Sequence, residues 1–233
     1  MTSMTQIHLI GGEKGGVGKS MISRLLAQYF IDHSIPFTAF DADRSHGALL
    51  RFYAGYTTPV LVDQSESLDA IVEAATAQPE KRILVDLAAQ TGERLMRWMD
   101  ESQLLAVATE LNLHIRYWHV MDSGRDSVEM LRQLFDRYQS KLSYVVVHNE
   151  LRGGDFRIYN DSDLPTRAAT YNSNVIAIKR LDENTMIKID AASASFWAAT
   201  QGTDQATALP LLERMRLKSW LQSAYDAIAT VNP

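Results

Sequence analysis

The sequence predicts an α/β fold with a doubly wound, mostly parallel sheet flanked by helices, and three observations predict it. Short apolar runs alternate with amphipathic helical stretches through most of the chain. Several runs are continuously apolar rather than alternating, as strands buried on both faces require. Several also end in a carboxylate or an asparagine, at the strand end where open parallel sheets place their ligand groups. With 233 residues and 46% apolar content the chain can bury a full core, and one domain over 1–233 is expected, with 183–233 as its helical C-terminal portion.

The elements follow in order. Residues 7–10 form the first strand, and the helix after Lys19 carries Ile22, Leu25, Leu26, Tyr29 and Phe30 on one face. Pro36 ends the connection, and 37–40 form a second strand that delivers Asp41-Ala42-Asp43 at its C-terminal end. Residues 44–56 are mixed; 59–63 read as a short strand and 68–77 as a helix. The run 82–86 is a buried strand ending in Asp86, followed by helical patterns over 92–99 and 104–111. Residues 114–121, rich in β-branched and aromatic side chains, form the next strand. A helix over 127–138 carries Val128, Leu131, Leu134 and Phe135, and the strand 142–147 ends at Asn149. Residues 152–155 form a loop, a short helix follows, and the last strand lies near 175–178. Beyond Asp182 the pattern is helical, and Pro210 starts a helix to about Val231 whose stripe is Leu217, Leu221, Ala224, Tyr225 and Ile228. No repeat, low-complexity tract or clear linker interrupts the chain.

Between the first strand and its helix stands Gly11-Gly12-Glu13-Lys14-Gly15-Gly16-Val17-Gly18-Lys19-Ser20. Glycines at Gly15, Gly16 and Gly18 let the backbone turn tightly and bring successive N–H groups to a polyphosphate. Lys19 adds a point charge near the β- and γ-phosphates, while Ser20 and Met21 open a helix whose first turn favours anions. A serine hydroxyl there can ligate Mg²⁺. The pattern G-x-x-x-x-G-K-[ST] is not met in full, because Glu13 takes its first glycine; what is met is K-G-G-x-G-K-[ST], with Lys14 as a second loop lysine.

This variant resembles the deviant Walker A motif of the ParA/MinD family of P-loop ATPases. The resemblance implies ATP and Mg²⁺ as ligands, with Gly15, Gly16, Val17, Gly18, Lys19, Ser20 and Met21 around the phosphates. Mg²⁺ keeps most of its waters, so Ser20 with Asp41 and Asp86 is a sufficient protein set. In the family the second aspartate of D-x-D activates or positions the attacking water, a role that falls on Asp43. The resemblance also implies Lys14 and Lys19 as the catalytic lysines, Lys14 crossing to a facing subunit of an ATP-dependent homodimer. Asn149 matches the adenine-contacting asparagine. Asp86-Leu87-Ala88-Ala89-Gln90 resembles the switch segment D-x-P-A-G; Ala89 matches, whereas Ala88 and Gln90 depart. Within the family, this segment and the stretch from Trp118 to Ser127 look most like the small ATPases encoded with conjugation and mobilisation genes, of the TraL/StbB kind. A partner protein that stimulates hydrolysis is implied as well.

Composition narrows the field. Absence of cysteine excludes disulfides, thiolate catalysis and cysteine-held clusters, and fits a reducing cytosol. Lys+Arg number 23 against 28 Asp+Glu, so contact with DNA would need a local basic patch. No leader and no apolar run of about 18 residues is seen, so a soluble, cytoplasmic protein is expected. Six histidines occur without helix-ligand spacing, His114 and His119 falling on opposite faces of a strand, so zinc is not expected. No G-x-S-x-G elbow is present.

Three functions stay open: an ATP-driven dimerising switch in plasmid partition, conjugation or mobilisation, which is preferred; a membrane-associated cell-division or polar-positioning ATPase; and a P-loop kinase or synthetase acting on a small acceptor. The membrane function would use the last helix, with Arg214, Arg216 and Lys218 near its start, although its apolar stripe also suits a core. Lys14 argues against the third, since a second loop lysine is superfluous within one subunit.

Overall fold

A computed structural model describes residues 4–12, 14–43, 47–78, 80–201 and 209–233. Glu13 of the glycine-rich stretch and Arg44, at the start of the mixed stretch, lie outside the described residues.

The elements run β1 (Thr5–Gly11), α1 (Lys19–Asp32), β2 (Phe37–Asp41), α2 (Ala48–Phe52), β3 (Thr57–Pro59), α3 (Ser65–Ala77), β4 (Arg82–Asp86), α4 (Gly92–Glu101), α5 (Leu104–Glu110), β5 (Leu113–Met121), α6 (Arg125–Tyr138), β6 (Ser143–Asn149), α7 (Arg157–Asn160), α8 (Leu164–Thr170), β7 (Asn174–Ile178), α9 (Glu183–Ala191), α10 (Phe196–Gln201) and α11 (Leu211–Ala229). Among the described residues seven strands form one sheet in the order β3-β2-β4-β1-β5-β6-β7, and every neighbouring pair is parallel. β1 sits in the middle, so the loops that leave β1, β2 and β4 share one end of the sheet.

Period-2 alternation within the apolar runs divides the core in two. Tyr144 and Val146 of β6 join the cluster under α3 to α8, while Val145 and Val147 join the one under α1, α2 and α9 to α11. Both faces are therefore dry, which is why these strands read as continuous apolar runs. On α11 the stripe Leu217, Leu221, Ala224, Tyr225 and Ile228 is buried and belongs to the second cluster. Leu211, Leu212 and Met215 of the same helix are exposed.

Two local expectations are corrected. The strand expected at 59–63 lies earlier, at Thr57–Pro59, in register with Ala39 to Asp41 of β2. After Pro59 the Val60 amide makes one last bond to the Asp41 carbonyl. The Leu61 amide then turns to the Ser67 hydroxyl, drawing the chain off the sheet and into α3, which starts at Ser65. Before β7, the single short helix expected after the loop is two helices, α7 and α8, separated where Ser162 bonds back to the Tyr159 carbonyl.

Candidate functional site

The glycine-rich loop leaves the C-terminal end of β1 and enters α1, whose N-cap is Gly18 with no capping side chain. Gly18 has φ +98° and Gly16 φ +78°, left-handed conformations that favour glycine. At Gly18 a Cβ would also stand 2.0 Å from the Asn149 side-chain nitrogen. Because glycine at the N-cap has no side chain to take them, the first-turn N–H groups of α1 and the positive end of its dipole face the loop. Lys19 is 7% exposed, and its Nζ donates to the Lys14 carbonyl at 3.0 Å, placing a buried ammonium inside the loop's own curve. Ser20 and Met21 are half-buried beside it, and Val17 is buried.

Asp41 and Asp86 end adjacent parallel strands as register partners, and Asp86 is also the partner of Ile10, just before the loop. Both carboxylates are buried. Asp41 accepts from the amides of Asp43 (3.0 Å) and Leu50 (3.1 Å), so its orientation is fixed by the turn into α2. Burial raises its pKa above the ordinary carboxylate range, with those backbone bonds opposing. Asp86 is pushed up to about 7, first by burial and next by the Asp41 charge; Ser23, Ser20 and Lys19 stand close enough to draw it partly back. Among the described residues neither Asp86 oxygen has a hydrogen bond of normal geometry.

That pair tests the fit of a cation. Two buried carboxylates side by side, one with unsatisfied oxygens, next to hydroxyls of Ser20 and Ser23, form the hard-oxygen surroundings that suit Mg²⁺. No group of three or more His, Asp, Glu or Cys side chains converges among the described residues. A cation held mainly through water needs no such group.

Asp43 is half-buried at the rim and lines a cavity of ≈ 550 Å³ with Asp41, Gly47, Leu50, Arg51 and residues 59–61. Lys14 is exposed, and its Nζ lies 3.6 Å from Asp126 in the first turn of α6. Asn149, expected at an adenine edge, is buried against the loop: Nδ2 donates to the Val17 carbonyl at 2.7 Å and Oδ1 accepts from the Leu151 amide at 3.3 Å.

Sequence reasoning did not assign several residues that shape this end of the sheet. Ser23 lies one turn beyond Ser20 on α1, a spacing that puts both hydroxyls on the Asp86 side. Asp122 accepts from the Ser127 hydroxyl (2.8 Å) and the Gly124 amide (3.0 Å), shaping the turn that carries Asp126 toward Lys14. The D-S-G pattern at 122–124 is the turn signal that points to it. His119, register partner of Gly11, is buried, and its Nε2 lies 2.8 Å from the Ser127 carbonyl. Burial lowers its pKa to about 4, so it is a neutral structural imidazole.

A glycine-rich loop between β1 and α1 of an all-parallel sheet, with carboxylates ending the neighbouring strands, defines an α/β fold of the P-loop kind. No family model matches the chain. It is similar to Protein MobD of Acidithiobacillus ferrooxidans, 23% identical over 228 residues that cover 97% of each chain. It is also similar to Protein TraL of Escherichia coli, 24% identical over 229 residues covering 92% of this chain and 93% of the relative. Among solved structures, a nucleotide-binding protein in complex with ADP from Archaeoglobus fulgidus is 15% identical, with a TM-score of 0.49 over 80% of this chain and 86% of that one. No helix among the described residues is long and apolar enough to cross a membrane.

Proposed function

We propose that this chain is a Mg²⁺-dependent ATPase of the ParA/MinD kind, a switch that dimerises around ATP and is reset by hydrolysis. The observation that carries this is the meeting of the buried Lys19 ammonium with the buried Asp41–Asp86 pair at the mouth of an uncapped helix. A structural loop has no reason to desolvate a lysine and two carboxylates together, because burying charge costs several kcal/mol per ion; a site for a phosphate–cation pair does. Likeness to Protein MobD and Protein TraL along nearly the whole chain supports a role in plasmid mobilisation or conjugation.

In this function the amides of Gly15 to Met21 cradle the phosphates, and Lys19 turns its ammonium from the Lys14 carbonyl to them. Ser20, Asp41 and Asp86 hold Mg²⁺, which supplies charge neutralisation on phosphate oxygens when bound. Asp43 orients the attacking water, whose oxygen bonds to the γ-phosphorus as the bond from that phosphorus to the bridging oxygen breaks, leaving ADP, inorganic phosphate and a proton released to solvent. Lys14 leaves the exposed Asp126 to contact a facing subunit, a small loss because surface ion pairs contribute at most about 1 kcal/mol. A partner protein stimulates hydrolysis, and DNA contact falls to a local basic patch.

The test is ATP binding by calorimetry, with Mg²⁺ or with EDTA, for wild type and Lys19→Ala. Loss of a charge-assisted bond of about 1.5–3 kcal/mol lowers affinity roughly ten- to a hundredfold. Unchanged affinity in the variant sinks the phosphate-loop assignment.

One observation favours a membrane-associated form of the same switch: exposed Leu211, Leu212 and Met215 beside exposed Arg216 and Lys218 at the start of α11. Co-sedimentation with anionic liposomes and with DNA, each with ATP and with ADP, separates the two.

A further inference from the structure

We infer that Asn149 is a strut that holds the phosphate-binding loop in shape, acting on triphosphate affinity in general rather than on the choice of base. The ligand named here rests on the proposed function; the strut itself rests on geometry. Asn149 ends β6, 132 residues from the loop, and is 3% exposed. Its Nδ2 donates to the Val17 carbonyl at 2.7 Å, one residue before the N-cap of α1. Its Oδ1 accepts from the Leu151 amide and so caps the turn that follows β6.

A bidentate read of an adenine edge takes the amide oxygen and nitrogen together, in one plane and toward one ligand. Here the two atoms are directed at two backbone partners on different segments. The site at Gly18 shows how closely the amide is built into the loop: a Cβ there would fall 2.0 Å from Nδ2. The left-handed turn at Gly18 (φ +98°) and the Asn149 amide thus occupy one space, and the amide fixes the carbonyl immediately before that turn. Removing the amide leaves a backbone carbonyl without its donor where the loop reverses. The consequence reaches every amide that faces a phosphate, and none of it depends on which base the phosphates carry.

Two measurements on the full chain test this. In nucleotide-free protein, hydrogen exchange over residues 14–21 is compared for wild type, Asn149→Ala and the isosteric Asn149→Asp, with β1 and β5 amides as an internal check that the variants are folded. Faster exchange in the loop with unchanged strands is expected; unchanged loop exchange overturns the strut. Affinities for ATP, GTP and inorganic tripolyphosphate are then measured. The strut lowers all three by a common factor of about ten, the worth of one buried hydrogen bond, and Asp does no better than Ala because it cannot donate to Val17. Loss confined to ATP, or a changed preference among bases in the Asp variant, overturns the inference and returns Asn149 to the base. If wild type binds no triphosphate, the proposed function fails, while the exchange experiment still decides the strut.

Discussion

Replacing Asp86 by asparagine is expected to make the metal-free protein more stable at pH 8. Burial and the neighbouring Asp41 push the Asp86 carboxyl from an ordinary 3.8 to about 7. A raised carboxylate pKa means that between those values the folded state keeps a proton that the unfolded state has released. Stability from this group is therefore complete below about pH 4 and is lost as pH rises through about 7. The interval spans about three pH units at about 1.4 kcal/mol each, so the loss reaches about 4 kcal/mol. Asparagine keeps the shape without the charge, and an imperfectly bonded amide returns about 1–3 kcal/mol of cost. A net gain of about 1–3 kcal/mol at pH 8 remains. Urea unfolding in EDTA at pH 5 and pH 8 measures it: the variant should gain on wild type by about 2–3 kcal/mol between the two, since about two pH units of the interval lie above pH 5. A stability difference that does not change with pH refutes the reasoning. In the same variant, Mg²⁺-dependent tightening of ATP should be lost, separating a residue kept for a ligand from one kept for the fold.

The remaining predictions concern turnover and assembly. Asp43→Ala should retain ATP binding while slowing phosphate release at least about tenfold, because the loop and the Asp41–Asp86 pair are untouched; release at the wild-type rate makes Asp43 structural. In that hydrolysis-slow background the protein should double its mass by light scattering with ATP but not with ADP, and adding Lys14→Ala should abolish the doubling. Two facing triphosphates repel across a dry interface unless cations cross it, so a Lys14 variant that dimerises as readily as its parent removes the sandwich switch and favours the kinase-like alternative.

Most of the fold was legible because both faces of the sheet are covered: runs such as Arg82–Asp86 and Ser143–Asn149 cannot be anything but buried strands once helical periods flank them. What escaped was set by single hydrogen bonds. The Ser67 hydroxyl, by taking the Leu61 amide, ended β3 four residues before the apolar pattern did. The loop was readable in sequence because it is local, seven residues from Lys14 to Ser20 in one ordered motif. Asn149 was readable only as a residue type at a strand end; that its amide meets Val17 depends on a pairing 132 residues apart, which no local pattern encodes. The same is true of Ser23 and Asp126, which gain their neighbours Asp86 and Lys14 only when α1 and α6 dock.

The departures in Asp86-Leu87-Ala88-Ala89-Gln90 leave Asp86 at the end of its strand. Gln90 stands where the segment it resembles has glycine, and it adopts φ +60°, the left-handed conformation that glycine takes most easily. A side chain there costs about 1–2 kcal/mol in the folded state. Glycine in the same place would forfeit about 0.5–1 kcal/mol through the greater freedom of its unfolded chain, so the two choices nearly cancel. The turn is held by other means: the Thr91 hydroxyl donates to the Ala88 carbonyl at 2.7 Å, closing the bend just before α4 begins at Gly92. Proline at position 88 would have restricted the preceding Leu87 to extended backbone; Leu87 already continues the sheet direction, its amide bonded to the Ile10 carbonyl and its side chain buried. Neither departure therefore redirects the chain away from Asp86.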